Sequence, residues 1–175
     1  MKLKQISKEV YYQENPIVKI NSQFIDYLEV LATNPTLQRV RLCAHIDDQE
    51  VLHEMIIALK KEGYIRPHKH LKKNESFHII KGMLDVVIFK DNGEILEVIH
   101  MGDYHSGKSF YYRLSGPYFH TLILRTDYVV LHEATSGPFC KDETVYAMWS
   151  PAQEDKKLTN DFMLNLEQQV DSLVI

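Results

Sequence analysis

The sequence predicts an all-β domain, folded as an antiparallel barrel or sandwich, with a short helix near each end. Three observations support this fold class. Between residues 39 and 134, eight or nine short apolar or alternating segments follow one another, separated by tight turns rather than helices. Helical periodicity is confined to the two ends. The chain of 175 residues, 45% of them hydrophobic, is long enough to bury a core without disulfide staples.

The two ends of the chain differ from its middle. Residues 22–33 carry apolar side chains at helical spacing, with Ser22 as the expected N-cap, and Val10 to Tyr12 form a possible edge strand before them. At the other end, Thr159 is a candidate cap for a helix that packs on the barrel or on a partner subunit. We therefore expect an N-terminal extension with a helix (1–38), a barrel (39–151) and a C-terminal helical extension (152–175).

The strand candidates of the middle region alternate in polarity or form short apolar runs. Asp91, Asn92 and Gly93 separate two of them and predict a tight hairpin. In chain order, the candidates are RVRLCAH (39–45), EMIIALKK (54–61), YIRPHKH (64–70), SFHIIKG (76–82), MLDVVIFK (83–90), EILEVIHM (94–101), SFYYRL (109–114), HTLILR (120–125) and DYVVLHEA (127–134).

Composition and charge exclude several classes of function. A net charge of −4 gives no basic surface for nucleic acid. The two cysteines, Cys43 and Cys140, lack the spacing of a zinc site, and we expect both to be reduced. No apolar run approaches the ~20 residues that a membrane span needs. The polar N-terminus lacks the apolar segment of a signal peptide, so we expect a cytoplasmic protein without membrane insertion.

The histidines indicate a metal site. All nine fall between residues 45 and 132. His68 and His70 are two apart on a predicted strand, which turns both imidazoles to one face. Glu75 follows a short charged turn, so a hairpin would return its carboxylate beside them. His120 opens a later strand and is the natural fourth ligand. Such a set suits one divalent ion, Zn, Fe, Mn or Ni.

The same residues resemble the first cupin motif. Gly63, the pair His68 and His70, Glu75 and Gly82 stand in its order, and only the gap after Gly63 is one residue short. The later segment SGPYFHTLIL is similar to the second motif around His120, with a leucine where that motif has an asparagine. The resemblance implies a double-stranded β-helix, or jelly-roll, barrel that holds the metal inside.

A longer resemblance runs over most of the chain. The segments 39–45, 53–59, 67–82, 120–139 and 147–151, the last two including EATSGPF and MWSP, resemble the WbuC-family cupin-fold metalloproteins. That family is bacterial and is associated with gene clusters for O-antigen and other surface polysaccharides. The resemblance implies an enzyme or binding protein for a small sugar or sugar nucleotide.

Further candidates surround the predicted site. His78, Tyr112 and Glu133 are candidates for catalysis, although each could equally be a structural or ion-pairing residue. Arg41, His45, Tyr111 and Arg113 are candidates for a substrate pocket that suits an anionic or sugar ligand; an outward position is the alternative for each.

Several functions remain open from the sequence. The leading one is a metal-dependent isomerase or epimerase, and iron-dependent oxygenase chemistry fits the same ligands. The alternatives are a non-catalytic sensor of a small molecule and a metal that only braces the barrel. No cofactor besides the metal is expected, and a homodimer is expected from the apolar C-terminal helix.

Overall fold

Two largely antiparallel β-sheets face each other in the computed structural model of the chain, which describes residues 2–34 and 36–173. In that part of the chain the larger sheet contains β1 (Leu3–Gln5), β2 (Val10–Gln13), β3 (Arg39–Cys43), β4 (Leu52–Lys60), β6 (Asn74–Lys81), β9 (Tyr111–Ser115) and β11 (Tyr128–Ser136). The smaller sheet contains β5 (His68–His70), β7 (Met83–Phe89), β8 (Ile95–Gly102), β10 (Phe119–Leu124) and β12 (Thr144–Tyr146). The helices are α1 (Ser22–Ala32) and α2 (Lys156–Ser172).

The connections make this pair of sheets a jelly-roll barrel. The larger sheet has the order β1-β2-β3-β4-β11-β6-β9, and the smaller one β12-β5-β10-β7-β8. From β4 onward the chain changes sheet at every connection except the β7–β8 hairpin, and every pairing except that of β2 with β3 is antiparallel. The predicted fold class, a jelly-roll barrel with a helix near each end, is confirmed.

Apolar side chains fill the space between the sheets. Because successive side chains of a strand point to opposite faces, alternate residues of β4, β6, β7 and β11 meet in one central core. It contains Met55, Ile57, Leu59, Phe77, Ile79, Leu84, Val86, Ile88, Leu122, Leu124, Val129 and Leu131. This core holds the two sheets at a fixed separation, and the functional side chains described below depend on it.

Helix α1 covers the outer face of the larger sheet. Its buried residues Ile25, Leu28 and Ala32 pack against Val40 and Leu42 of β3. The N-cap is Asn21 rather than the predicted Ser22, because Asn21 Oδ1 accepts a hydrogen bond from Phe24 N at 3.1 Å.

Helix α2 covers the outer face of the smaller sheet through Leu166 and Val170, which pack on Phe89 and Ile123. It begins three residues before the predicted Thr159, because Asp155 Oδ1 accepts the hydrogen bond from Leu158 N. The sequence left open packing on the barrel or on a partner subunit, and in the structure the helix packs on the barrel. Neither α1 nor α2 combines the length and apolar character that crossing a membrane requires.

The predicted hairpin at Asp91 to Gly93 joins β7 to β8. Gly93 has a φ of +90° and donates a hydrogen bond to Lys90 O at 3.0 Å. The ring of Trp149 lies against it, since a Cβ at residue 93 would stand 3.0 Å from that ring. The Trp149 indole also donates to Asp91 O at 3.1 Å, which ties the segment after β12 to this turn.

The N-terminal strand pair differs from the sequence prediction. β2 does not lie at the edge of the sheet, because β1 pairs with its outer side and β3 with its inner side. Neither β1 nor β12 was predicted. Each has only three residues, which is too short for an alternating pattern to stand out.

We expect Gly82→Ala to lower the free energy of unfolding by about 3 kcal/mol. Gly82 has a φ of +87°, and a Cβ there would stand 2.5 Å from Tyr128 O. Gly107 is the matched control, with a φ of +73° and open space around the position of its Cβ, so Gly107→Ala should cost only about 1 kcal/mol. Urea unfolding measures both variants, and equal losses would contradict the role of the close approach.

Candidate metal centre

Three histidines meet inside the barrel. His68 and His70 are two residues apart on β5, so their side chains share the inner face of the smaller sheet. His120 lies on the neighbouring β10, directly opposite His68 in the register. One ring nitrogen from each histidine lies within 4.8 Å of the other two. The pairing of β5 with β10 thus brings His68 and His70 together with His120, which follows His70 by 50 residues in the chain.

Glu75 reaches the same space from the larger sheet. Its Oε1 lies 3.0 Å from Nε2 of His120, and its Oε2 lies 3.6 Å from Nε2 of His70. The residue is 5% exposed. Among the described residues, none donates a hydrogen bond of acceptable geometry to Oε1, although buried carboxylate oxygens normally have a donor. The side chain therefore leaves one buried acceptor directed at the histidines.

The other ring nitrogen of each histidine is anchored. Nδ1 of His68 lies 2.9 Å from Arg66 O, and Nδ1 of His120 lies 3.0 Å from Tyr118 O. Because a carbonyl only accepts, both Nδ1 atoms carry the proton and donate it. Nδ1 of His70 lies 3.2 Å from Thr144 Oγ1. This arrangement leaves the three Nε2 atoms facing the interior, and hydrogen bonds of this kind orient the imidazoles of metal-binding histidines.

These donors fit a divalent metal ion. The three imidazole nitrogens and one carboxylate are the ligand types that Zn, Fe, Mn and Ni accept. A cation among them would also bind the buried carboxylate of Glu75, whose Oε1 lies 3.0 Å from Nε2 of His120. The ligand types do not select one of these metals.

Burial and mutual charge set the ionisation of the site. Burial, together with the nearby His120, lowers the pKa of His68 to about 4. Burial would raise the pKa of Glu75, but the surrounding imidazoles lower it overall. Burial would likewise lower the pKa of His120, but the carboxylate of Glu75 raises it overall. The site without metal is therefore held by a buried ion pair of Glu75 and His120, and a divalent ion would replace the proton of that pair.

A second polar row lies next to the ligands on the inner face of the larger sheet. Glu133 on β11 is paired with Phe77, two residues along β6 from Glu75. Burial and the charge of Glu75 raise the pKa of Glu133 to about 7. On the other side of Phe77, Tyr112 is 7% exposed, and its hydroxyl has no hydrogen-bond partner among the described residues. Burial and Glu75 raise the pKa of Tyr112 as well.

A cavity of about 120 Å³ opens beside His68. Its wall combines cationic, aromatic and aliphatic side chains. They include Arg39, Lys60, Arg66, Tyr64, Tyr146 and Leu124. His68 belongs to both the cavity wall and the histidine group, so a small molecule in the cavity would be adjacent to the candidate metal ligands.

Three sequence-predicted site residues lie on the outside of the barrel. His78, Tyr111 and Arg113 are exposed, because each alternates with a neighbour that points inward, such as Phe77 or Tyr112. The expected catalytic position of His78 and the expected pocket positions of Tyr111 and Arg113 are corrected on this ground.

The remaining two pocket candidates differ in their surroundings. Arg41 lies on the inner face of β3, on the same side as the buried Cys43. His45 follows β3 and stacks on His53, with ring centroids 4.2 Å apart. Nδ1 of His45 lies 3.1 Å from the main-chain oxygen of Glu54 and 3.2 Å from its main-chain nitrogen. This histidine therefore braces the β3–β4 connection.

Some residues of the site could not be identified from sequence patterns. Tyr146 pairs with His68 in the register of β12 and β5, and their ring centroids are 6.1 Å apart. Thr144 on the same strand anchors His70. No motif marks either residue. Arg39 could have been found, because it shares the alternation of RVRLC with Arg41 and Cys43.

Comparison with known proteins supports the fold. A family model described as a domain of unknown function, DUF6016, matches residues 20–101, a range that includes His68, His70 and Glu75. No curated protein matches the sequence. Among solved structures, protein SO0799 from Shewanella oneidensis has a TM-score of 0.53 at 14% identity, over 74% of this chain and 85% of that chain. This likeness shows a shared fold, the jelly-roll barrel described above.

Two further similar structures have lower scores. The capsular polysaccharide assembling protein CapF from Staphylococcus aureus has a TM-score of 0.48 at 16% identity, over 62% of this chain and 31% of that chain. The cupin domain of Cnp3 from Schizosaccharomyces pombe has a TM-score of 0.43 at 14% identity, over 58% of this chain and 66% of that chain.

The raised pKa of Glu133 predicts a pH dependence of stability in the metal-free protein. Between the ordinary carboxyl pKa of 4.5 and about 7, the folded state binds more protons than the unfolded state, so stability falls as the pH rises. Glu133→Gln has no carboxyl to ionise and should not lose stability in this way. The difference in free energy of unfolding, variant minus wild type, should therefore rise by roughly 2 kcal/mol between pH 4.5 and pH 8.

Urea unfolding at a series of pH values measures the effect. Glu154→Gln, a change at an exposed carboxylate, is the control and should follow the wild-type curve. Parallel curves for wild type and Glu133→Gln would contradict the raised pKa.

Proposed function

We propose that this protein is a metal-dependent enzyme that holds one divalent ion on His68, His70, Glu75 and His120 and acts on a small molecule inside the barrel. The observation that carries the proposal is the convergence of these four buried or half-buried side chains, one of which, His68, also lines a cavity. A fully closed structural site would have no reason to adjoin a cavity, whereas catalytic sites keep an open position for substrate.

The protein's own residues supply binding, orientation and proton transfer. When bound, the ion would polarise a carbonyl or hydroxyl oxygen of the substrate. The carbonyls of Arg66 and Tyr118 orient His68 and His120. The central apolar core keeps bulk water out of the barrel beyond the site. Glu133 holds or releases a proton at its carboxyl near neutral pH, because its pKa is raised to about 7.

The WbuC resemblance supports a sugar or sugar nucleotide of bacterial surface-polysaccharide synthesis as the substrate. Isomerisation or epimerisation is the reaction that agrees best with Glu133. Such a reaction removes a proton from carbon or oxygen and returns one, and a carboxyl with a pKa near 7 can do both at the working pH. The buried hydroxyl of Tyr112, without a partner among the described residues, is available to a substrate oxygen.

Metal analysis after loading and desalting tests the ion site. Wild-type protein should retain about one Fe, Mn, Zn or Ni ion per chain. His68→Ala and Glu75→Gln should each reduce the retained metal to near zero. His78→Ala is the matched control, because His78 shares β6 with Glu75 but is exposed on the outer face, and it should retain the ion. Binding that persists in His68→Ala, or wild-type protein that retains no ion, would refute the site.

Turnover has a separate test. A screen of sugar nucleotides and small sugar acids with the metal-loaded protein should reveal a substrate. Glu133→Gln should then retain the ion while losing about 10²–10⁴-fold in kcat, the usual contribution of a positioned acid–base group. An unchanged kcat in this variant would remove Glu133 from the mechanism, and a complete absence of turnover across the screen would favour a binding protein.

A further inference from the structure

Two arginines project into the barrel from β3. Strand alternation places Arg39, Arg41 and Cys43 on one face, and Cys43 belongs to the central core between the sheets. The intervening Val40 and Leu42 belong to the separate core beneath α1. Arg41 is therefore directed toward the interior that also holds Glu75 and the histidines, while the partly exposed Arg39 stands in the cavity wall at its edge. The metal site requires neither placement.

Arg41 has few partners for a charged group inside a protein. The Nε of Arg41 is buried without an acceptor, and its Nη1 lies 3.9 Å from the sulfur of Met55, a weak acceptor. Among the described residues, no carboxylate oxygen lies within 4.0 Å of this guanidinium. Leaving a buried charged donor unpaired destabilises the folded state, so the position is costly to the fold unless something else binds there.

Arg39 stands nearer the surface than Arg41, with its side chain 44% exposed. Its nearest carboxylate oxygen in the described chain is Oε2 of Glu9, at a long 3.7 Å. Partial loss of solvent at the cavity wall, together with the positive charge of Arg41, lowers the pKa of Arg39. The two guanidinium groups therefore lie within range of each other's charge, and an anion between them would relieve both.

The neighbouring Arg66 shows what a structural arginine looks like in this protein. Its Nε donates to Ser150 Oγ at 3.2 Å, its Nη2 donates to Ala147 O at 3.1 Å, and its guanidinium lies over the ring of Tyr146. The chain thus gives Arg66 three side-chain hydrogen bonds and leaves Arg41 with one weak contact to a sulfur atom. The difference marks the β3 pair as a ligand-binding feature.

The cavity connects this pair to the metal site. Arg39 and His68 both belong to its wall, and Arg41 follows two residues further along the same face of β3. A molecule with an oxyanion near Arg39 would place its other atoms beside His68. The described cationic wall residues, Arg39, Lys60 and Arg66, face no wall carboxylate in this cavity.

We propose that Arg39 and Arg41 form an oxyanion-binding subsite and that the substrate is a small molecule carrying a carboxylate or phosphoryl group. The subsite rests on the proposed function in one respect, because it assigns the anionic end of the molecule that reacts at the metal. Guanidinium groups bind both kinds of oxyanion through paired N–H donors, so the shared chemistry is the oxyanion itself.

The decisive experiment uses desalted metal-free protein, so that anion binding is measured apart from metal binding. Inorganic phosphate and malonate are titrated separately at constant ionic strength, and the arginine Nε–H signals are followed by NMR in ¹⁵N-labelled protein. The signals of Arg39 and Arg41 should shift in a saturable way, while that of the exposed Arg113 should not. A response to phosphate alone assigns a phosphoryl group, and a response to malonate alone assigns a carboxylate.

Variants provide the second measurement. Arg41→Gln should weaken the apparent Kd for the responding anion at least about 10-fold, equivalent to 1.4 kcal/mol. Arg41→Lys keeps the charge and loses the planar guanidinium group, so its Kd should lie between those of wild type and Arg41→Gln. Arg113→Gln is the control and should bind as wild type does. The wild-type titration decides the matter even if Arg41→Gln fails to fold.

The outcomes separate the two proposals. Absence of a saturable shift in wild type, an equal shift at Arg113, or unchanged affinity in Arg41→Gln would overturn the subsite. Folded Arg41→Gln should still retain one metal ion, since Arg41 is not a ligand. Anion binding in a protein that retains no metal would support the subsite and overturn only the metal-dependent function.

Discussion

The buried pairing of Glu75 with His120 is the contact on which the arrangement of the barrel depends. The carboxylate comes from the larger sheet and the imidazole from the smaller one, 3.0 Å apart. A carboxylate that is 5% exposed would be costly to the fold without positive charge beside it. The two sheets must therefore approach each other at this point in one register, whether a proton on His120 or a metal ion supplies the charge.

The interior of the barrel divides into an apolar part and a polar part. Leucine, isoleucine and valine side chains fill the space between β4, β7 and β11, and this packing holds the sheets together. Near the ligands, strands β11, β3 and β9 of the larger sheet present Glu133, Arg41 and Tyr112 instead. Since unsatisfied polar groups destabilise a core, their concentration on one side of the barrel is the pattern expected when stability is exchanged for ligand binding.

The sequence predicted the barrel, because nine strands had either clear alternation or apolar runs between strong turns. It also predicted the four residues proposed as metal ligands, since HxH spacing on a strand has one geometric outcome. It could not predict which face of the strand is buried at Tyr111, Tyr112 and Arg113, because polar and aromatic residues alternate there without a clear apolar face. Strand β12 was not predicted for another reason. Its three residues are too few to show an alternating pattern, and Thr144 and Tyr146 join the site only because β12 pairs with β5.

The anchoring of His68 and His120 has a consequence for how this site can evolve. Each ring is oriented by a carbonyl two residues earlier in the chain, at positions 66 and 118. Every amino acid supplies that carbonyl, so substitutions at those two positions leave the orientation of the imidazoles intact. The exposed side chain of Tyr118 is thereby free to change, and descendants of this barrel could alter the surroundings of the site while inheriting the same geometry of ligand atoms.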